Sequence, residues 1–194
     1  MSVICIIPAR GGSQRIPKKN IKLFHGKPIL KYSIEAAKES QLFDRIYVST
    51  DDEVIGDIAM DAGARMWKRK PSFAADCVGT QEVVQECVNG IRLMDSDVVC
   101  CLYATAPLMA VSDLADGYVL LNNGFNIDYV MSVGYPPLQD AAQFYWGMAR
   151  CFKAGTPLIS SRTRMIHVME NRVCDINTPE DWARAEKMYL ELKK

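Results

Sequence analysis

Apolar and polar residues along this chain fall in blocks whose period switches between that of a strand and that of a helix. Residues 3–8 form a short apolar run that ends at proline and meets two glycines, as a buried strand feeding a loop would. From 29 to 42, Leu30, Ile34, Ala36 and Ala37 stand near helical spacing behind Pro28, which suits a first helical turn. A second β-rich run, RIYVST at 45–50, precedes Asp51, Asp52 and a helical pattern through Val54, Ile55, Ile58, Ala59 and Ala62, with Gly63 placed to close it. A short strand at 64–68, a helix over 81–94 and a strand over 97–103 continue the alternation. Such alternation predicts a mainly parallel sheet wrapped on both faces, with ligands outside the carboxyl ends of the strands. Past Pro107 the pattern predicts a helix over 112–122 capped by Ser112, a strand over 128–133, and a break in the rhythm over 136–143. An aromatic strand in QFYWGMA and a short strand over 164–168 follow. The start of a terminal helix is written by Thr178, Pro179, Glu180 and Asp181.

Composition bounds this picture. With 194 residues and 49% hydrophobic content, the chain is expected to form one domain around a well-buried core. Lysines plus arginines equal aspartates plus glutamates at 23 each, yet the first acidic residue is Glu35. Arg10, Arg15, Lys18, Lys19, Lys22, Lys27 and Lys31 all precede it. Positive charge is therefore local, which argues for a small anionic ligand and against the broad basic face of a nucleic-acid binder. No apolar run reaches the length of a membrane span, and no charged segment precedes the first apolar run as in a signal peptide, so a soluble, cytoplasmic protein is expected. The seven cysteines include no CxxC pair and no zinc-type spacing; they are expected to be reduced and mostly buried, with Cys100 and Cys101 on opposite faces of one strand.

Three stretches offer chemistry. The loop ARGGSQRIPKKN leaves the first strand where such folds bind phosphate; Gly11 and Gly12 permit close backbone approach, and Arg10, Arg15 and Lys19 would neutralise a polyphosphate. It fits neither the Walker pattern nor GxGxxG, and a solvated basic turn has the same composition. The acids of STDDE, 49–53, suit a metal or a ribose, and equally an ordinary helix cap. In Asp175-Ile176-Asn177, alternation on an extended segment puts two oxygen-bearing side chains on one face, suitable for magnesium and equally for a turn. His25 and His167 have no partner in sequence and read as structural or surface residues.

Taken together, IIPARGGSQRIPKKNIK, GKPIL, VSTDDEVIGDIA, RKPSFAADCVGT, CLYATAPL, DAAQFYWG and DINTPEDW resemble the cytidylyltransferases that activate nine-carbon sugar acids as CMP conjugates. YATAP and DAAQFYWG resemble the pseudaminic acid branch more than the sialic acid branch. The resemblance implies a three-layer Rossmann-like α/β nucleotidyltransferase fold with a mainly parallel sheet. It also implies transfer of CMP from CTP to the anomeric hydroxyl of the sugar acid with release of pyrophosphate, a magnesium cofactor and a homodimer. On this resemblance Arg10, Gly11, Gly12, Ser13, Lys19 and Asn20 form the triphosphate loop, with Arg10, Lys19 and Asp175 catalytic. Lys70, with Arg69 beside it, is a basic nucleotide contact, and Thr80 stands beside the cytosine. Tyr103, Gln143 and Tyr145 face the sugar acid, and Asp175 and Asn177 hold the metal. The chain departs from the family at Gln14, in place of lysine, and at Asn177, in place of an acid. A few dozen residues expected at about 139–140 are also missing, by deletion or omission. Activation of sialic, legionaminic or another keto sugar acid, and a nucleotide-binding module with impaired catalysis, are the competing readings.

Overall fold

The computed structural model describes residues 1–75, 77–135 and 139–194. In chain order the elements are β1 (Val3–Pro8), a short hairpin of β2 (Leu23–Phe24) and β3 (Lys27–Pro28), α1 (Ile29–Glu39), β4 (Arg45–Thr50), α2 (Glu53–Asp61), β5 (Arg65–Lys68), α3 (Thr80–Ile91) and β6 (Val98–Leu102). Then come α4 (Val111–Asn123), β7 (Tyr129–Tyr135), β8 (Gln139–Met148), α5 (Ala149–Lys153), β9 (Thr163–Met169) and α6 (Pro179–Leu192). Seven strands form one sheet in the order β5-β4-β1-β6-β8-β7-β9. The pairs β1/β4, β1/β6, β4/β5 and β7/β9 are parallel, and β8 runs antiparallel to both β6 and β7.

Strand β1 is apolar on both faces because both are covered. Val3, Cys5 and Ile7 pack with Leu30 and Ile34 of α1, Ile55 of α2 and Leu114 of α4, whereas Ile4 and Ile6 pack with Val84 and Cys87 of α3 and Phe152 of α5. Cys100 and Cys101 divide in the same way between these two cores, as their adjacency on a strand requires. Helix α6 lies outside the sandwich and closes a third cluster, in which Trp182, Phe24, Ile16 and Ile176 are buried together. That cluster fixes the loop after β1 against the segment that precedes α6.

Where expectation and structure differ, the causes are local. Ser112 does not cap α4: the helix begins one residue earlier, with Ala110 at the N-cap position and no side-chain cap, and Asp113 of its first turn pairs with Arg172 at 2.9 Å. The helix expected to reach residue 94 stops at Ile91, because Arg92 turns left-handed at φ 60°. The expected break over 136–143 holds β8 from Gln139 onward, and residues 136–138, beside the expected junction at 139–140, lie outside the described ones. The terminal helix starts as its sequence predicts: Thr178 accepts the Asp181 amide and Asp181 reaches back to the Thr178 amide, a reciprocal capping box.

Candidate active site

Between the carboxyl ends of β1, β4 and β6 the chain leaves the sheet in opposite directions, and a cleft of about 330 Å³ opens there. Its walls come from five segments. The loop after β1 gives Arg10, Ser13, Arg15, Lys19 and Asn20; the extension of β5 gives Arg69; α3 gives Thr80; and Tyr103, Asp175 and Asn177 come from the ends of β6 and the approach to α6.

The first loop is built from its own side chains more than from its glycines. Ile16 is 3% exposed and anchors it in the third core, Lys18 turns left-handed, and the Asn20 amide donates to the Arg10 carbonyl at 2.8 Å. The expectation that Gly11 and Gly12 turn their amides toward an anion is not met. Neither has a positive φ, neither lines the cleft, and the Gly11 N–H is given to Asp51 Oδ1 at 3.0 Å. Gly11 is needed for closeness instead, since a Cβ there would stand 2.7 Å from Asp52 Oδ2 and 2.9 Å from its Cβ. The STDDE acids thus resolve as supports: Asp52 caps α2 by accepting from Val54 and Ile55, and Asp51 ties down the loop.

Four cations converge on the cleft. Lys19 Nζ donates to the Ile176 carbonyl at 2.8 Å, joining the first loop to the DIN segment; burial, helped by Arg15 and Arg10 and opposed by Asp175, holds its pKa below the usual lysine value. Arg69 is 5% exposed and donates to the Ser49 hydroxyl and carbonyl at 3.2 and 2.7 Å; burial lowers its pKa, with Asp51 opposing and Arg10 adding to the effect. Arg69 is buried and Lys19 half-buried, and positive charge held partly out of water in this way favours an anionic guest.

Opposite them stands the exposed carboxylate of Asp175. Its Oδ2 accepts the Asn177 amide nitrogen, while the Asn177 oxygen accepts from Arg15 at 3.1 Å. Asn177, expected as a metal ligand, presents its donor toward Asp175 and gives its oxygen to the Arg15 guanidinium in this structure. Among the described residues no group of three metal-binding side chains exists. One carboxylate beside a phosphate site still fits magnesium, which takes one or two carboxylates, substrate phosphates and water.

Tyr103 lines the cleft, its N–H donating to the Gln143 carbonyl at 2.8 Å; burial raises its pKa, with Cys101, Asp140 and Asp175 adding to the shift and the Thr80 side chain opposing it. Three other expected residues stand outside. Lys70 is an exposed side chain 3.8 Å from Glu86, because it follows Arg69 on an extended segment and so points the other way. Gln143, 3% exposed, spends its amide on the Arg172 carbonyl, and Tyr145, 2% exposed, is buried in the second core. Strand alternation was the signal that selects Arg69 over Lys70, once the register of β5 is known.

Comparison with known proteins agrees with this geometry. A family model described as cytidylyltransferase matches residues 4–139. A pseudaminic acid cytidylyltransferase of Campylobacter jejuni serotype O:2 is 33% identical over 227 residues, covering 97% of each chain. That span exceeds the 194 residues here, so the relative has positions with no counterpart in this chain. An N-acylneuraminate cytidylyltransferase A of Danio rerio is 35% identical over 68% of this chain and 30% of its own. Among solved structures, CMP:2-keto-3-deoxy-manno-octonic acid synthetase complexed with CTP superposes with a TM-score of 0.79 at 14% identity, over 99% of this chain and 100% of that one. A 4-diphosphocytidyl-2C-methyl-D-erythritol synthase does so at 0.73 and 12% identity, over 96% and 98%; both show the shared nucleotidyltransferase fold. With the family pattern matched over most of its length and a relative matched end to end, this chain belongs to the cytidylyltransferase family.

Proposed function

We propose that the protein transfers CMP from CTP to the anomeric hydroxyl of pseudaminic acid and releases pyrophosphate. The observation behind this reading is the convergence of Arg10, Arg15, Lys19 and Arg69 at the carboxyl ends of the central strands, in a chain matched end to end by pseudaminic acid cytidylyltransferases. The basic loop takes the triphosphate, and Thr80 and Arg69 stand on the nucleotide side. The anomeric oxygen attacks the α-phosphorus as the bond to the β-phosphate oxygen breaks. Negative charge then builds on the departing pyrophosphate, and preorganised Arg10, Lys19 and Arg69 stabilise it without reorganising. Tyr103 walls the acceptor side.

Asp175 would hold magnesium together with phosphate oxygens and water; bound there, the ion would share the phosphate charge as a Lewis acid. Asn177 and Arg15 would keep that carboxylate and the loop in register. The reading also includes a cytoplasmic homodimer, to be tested by fractionation and by sedimentation of the purified protein. Among the described residues no helix is long and apolar enough to cross a membrane.

The test is pyrophosphate release from CTP and magnesium with a panel of nonulosonic acids, with the CMP conjugate identified by mass. Turnover is expected with pseudaminic acid ahead of sialic and legionaminic acids. CTP binding with no turnover of any of them would overturn the reading and leave a nucleotide-binding module.

A further inference from the structure

Between the pairs Met131/Tyr145 and Val133/Asp140, strand β7 has one residue, Ser132, and strand β8 has four, 141–144. The surplus is taken up by a bulge in which Ala142 turns left-handed at φ 51°, a conformation that strains a residue with a Cβ. Bulges of this kind re-aim a side chain beside a site. This one is held from three directions. The Ala142 N–H donates to Asp140 Oδ1 at 2.8 Å, the Gln143 carbonyl accepts from Tyr103 N–H at 2.8 Å, and the Ser132 hydroxyl exchanges hydrogen bonds with Phe144, its Oγ 3.1 Å from both the amide nitrogen and the carbonyl oxygen.

The side chain so aimed is Asp140. It borders a second cavity of about 230 Å³ walled by Met131, Val133, Leu158, Ile159 and Met165. Asp140 does not itself line the basic cleft, but the bulge joins the two, since the Gln143 carbonyl three residues on accepts from Tyr103 N–H of the cleft wall. Among the described residues nothing bonds its second oxygen, Oδ2. The four cations claim the triphosphate and leave the Tyr103 side to the acceptor. A carboxylate on that side repels an acceptor's own carboxylate and welcomes its hydroxyl or amide N–H.

We propose that Asp140 is a substrate-binding residue whose Oδ2 accepts a hydrogen bond from a hydroxyl or amide donor of the sugar acid, fixing which end of the acceptor faces CTP. The proposal rests on the reading that the acceptor is a sugar acid. Asp140 is an exposed residue, so its Oδ2 is open to a ligand.

The decisive variant is Asp140→Asn. Its carboxamide oxygen can still accept the Ala142 N–H and hold the bulge, but its NH₂ then replaces the free acceptor with a donor. D140N is expected to raise the KM for the sugar acid about 10- to 100-fold, the loss of one charge-assisted hydrogen bond. The KM for CTP and the magnesium titration should stay within about twofold of wild type on the same argument. KM does not depend on the folded fraction, so the comparison holds even where the variant is less stable. A sugar-acid KM equal to wild type would reduce Asp140 to a holder of the bulge and overturn the inference alone. A parallel rise in the CTP KM or a shifted magnesium optimum would overturn it in favour of a nucleotide or metal role. Wild-type protein that binds CTP but turns over no sugar acid would overturn the acceptor assignment, and this inference with it.

Discussion

Replacing Lys19 with methionine separates a catalytic cation from a structural tether, because methionine keeps most of the side chain's length and apolar stem. The Nζ gives one of its three hydrogens to the Ile176 carbonyl, leaving two to face the cleft. Each charge-assisted bond to a phosphate oxygen is worth about 1.5–3 kcal/mol, and with three arginines still in place the net loss in the transition state is taken as about 3 kcal/mol, or roughly 100-fold in kcat/KM. Stability should hardly move. The lost Ile176 bond costs about 1 kcal/mol, and relief from burying a charge beside Arg15 and Arg10 offsets much of it. The assay is pyrophosphate release under varied CTP, with thermal unfolding alongside; saturating CTP at about 100 Kd should raise wild-type stability by about 2.7 kcal/mol and K19M by much less. The pH profile gives an independent check. Phosphate binding needs the charged form, and the folded pKa lies below the ordinary lysine value, so wild-type activity should fall at a lower alkaline pH than an ordinary lysine would set; K19M should lose that limb. A kcat/KM within threefold of wild type would refute the reasoning, as would a loss of several kcal/mol in stability.

Arg69→Ala should weaken CTP use at least tenfold and lower stability by about 1–3 kcal/mol, since it strips two hydrogen bonds from Ser49, whereas Lys70→Ala, outside the cleft, should leave CTP use little changed. CTP titration and thermal melts of the two variants side by side would show it. Gly11→Ala forces a Cβ into Asp52 and should cost about 1–3 kcal/mol, while Gly12→Ala, with nothing within 4 Å of the added Cβ, should melt like wild type. Asp181 has its pKa lowered below 3.8 because the Asn177 and Thr178 amides, the Thr178 hydroxyl and Arg184 outweigh the opposing effect of burial. Its contribution is therefore present above that value and lost as pH falls through the folded pKa; Asp181→Asn should flatten the acid limb of stability measured by urea unfolding against pH.

Much of this protein is local and so legible from the chain. Residues 3–8 read as a buried strand because both faces of β1 are covered, and TPED specified the start of α6 because a reciprocal cap is written within four residues. The basic loop was visible as a charge excess with no acid before Glu35. The packing role of Gly11 is not legible in the chain, because the need for it comes from Asp52, forty-one positions away, and a close approach between distant segments leaves no local mark. Lys70 was preferred to Arg69 for a similar reason. Composition cannot tell adjacent cations apart, and only the register of β5 against β4 decides which one turns inward.

The sequence by itself determined the alternation of strands and helices, the capped terminal helix, the concentrated positive charge and the family resemblance, since each resides in neighbours along the chain. Only the tertiary structure shows that Asp51 supports the loop, that Asn177 faces Arg15 with its oxygen, that Gln143 and Tyr145 are buried, and that a bulge interrupts β8 beside Asp140. Those assignments depend on which donors and acceptors meet across the fold, and a hydrogen bond is set by distance and direction in space, to which separation along the chain is indifferent.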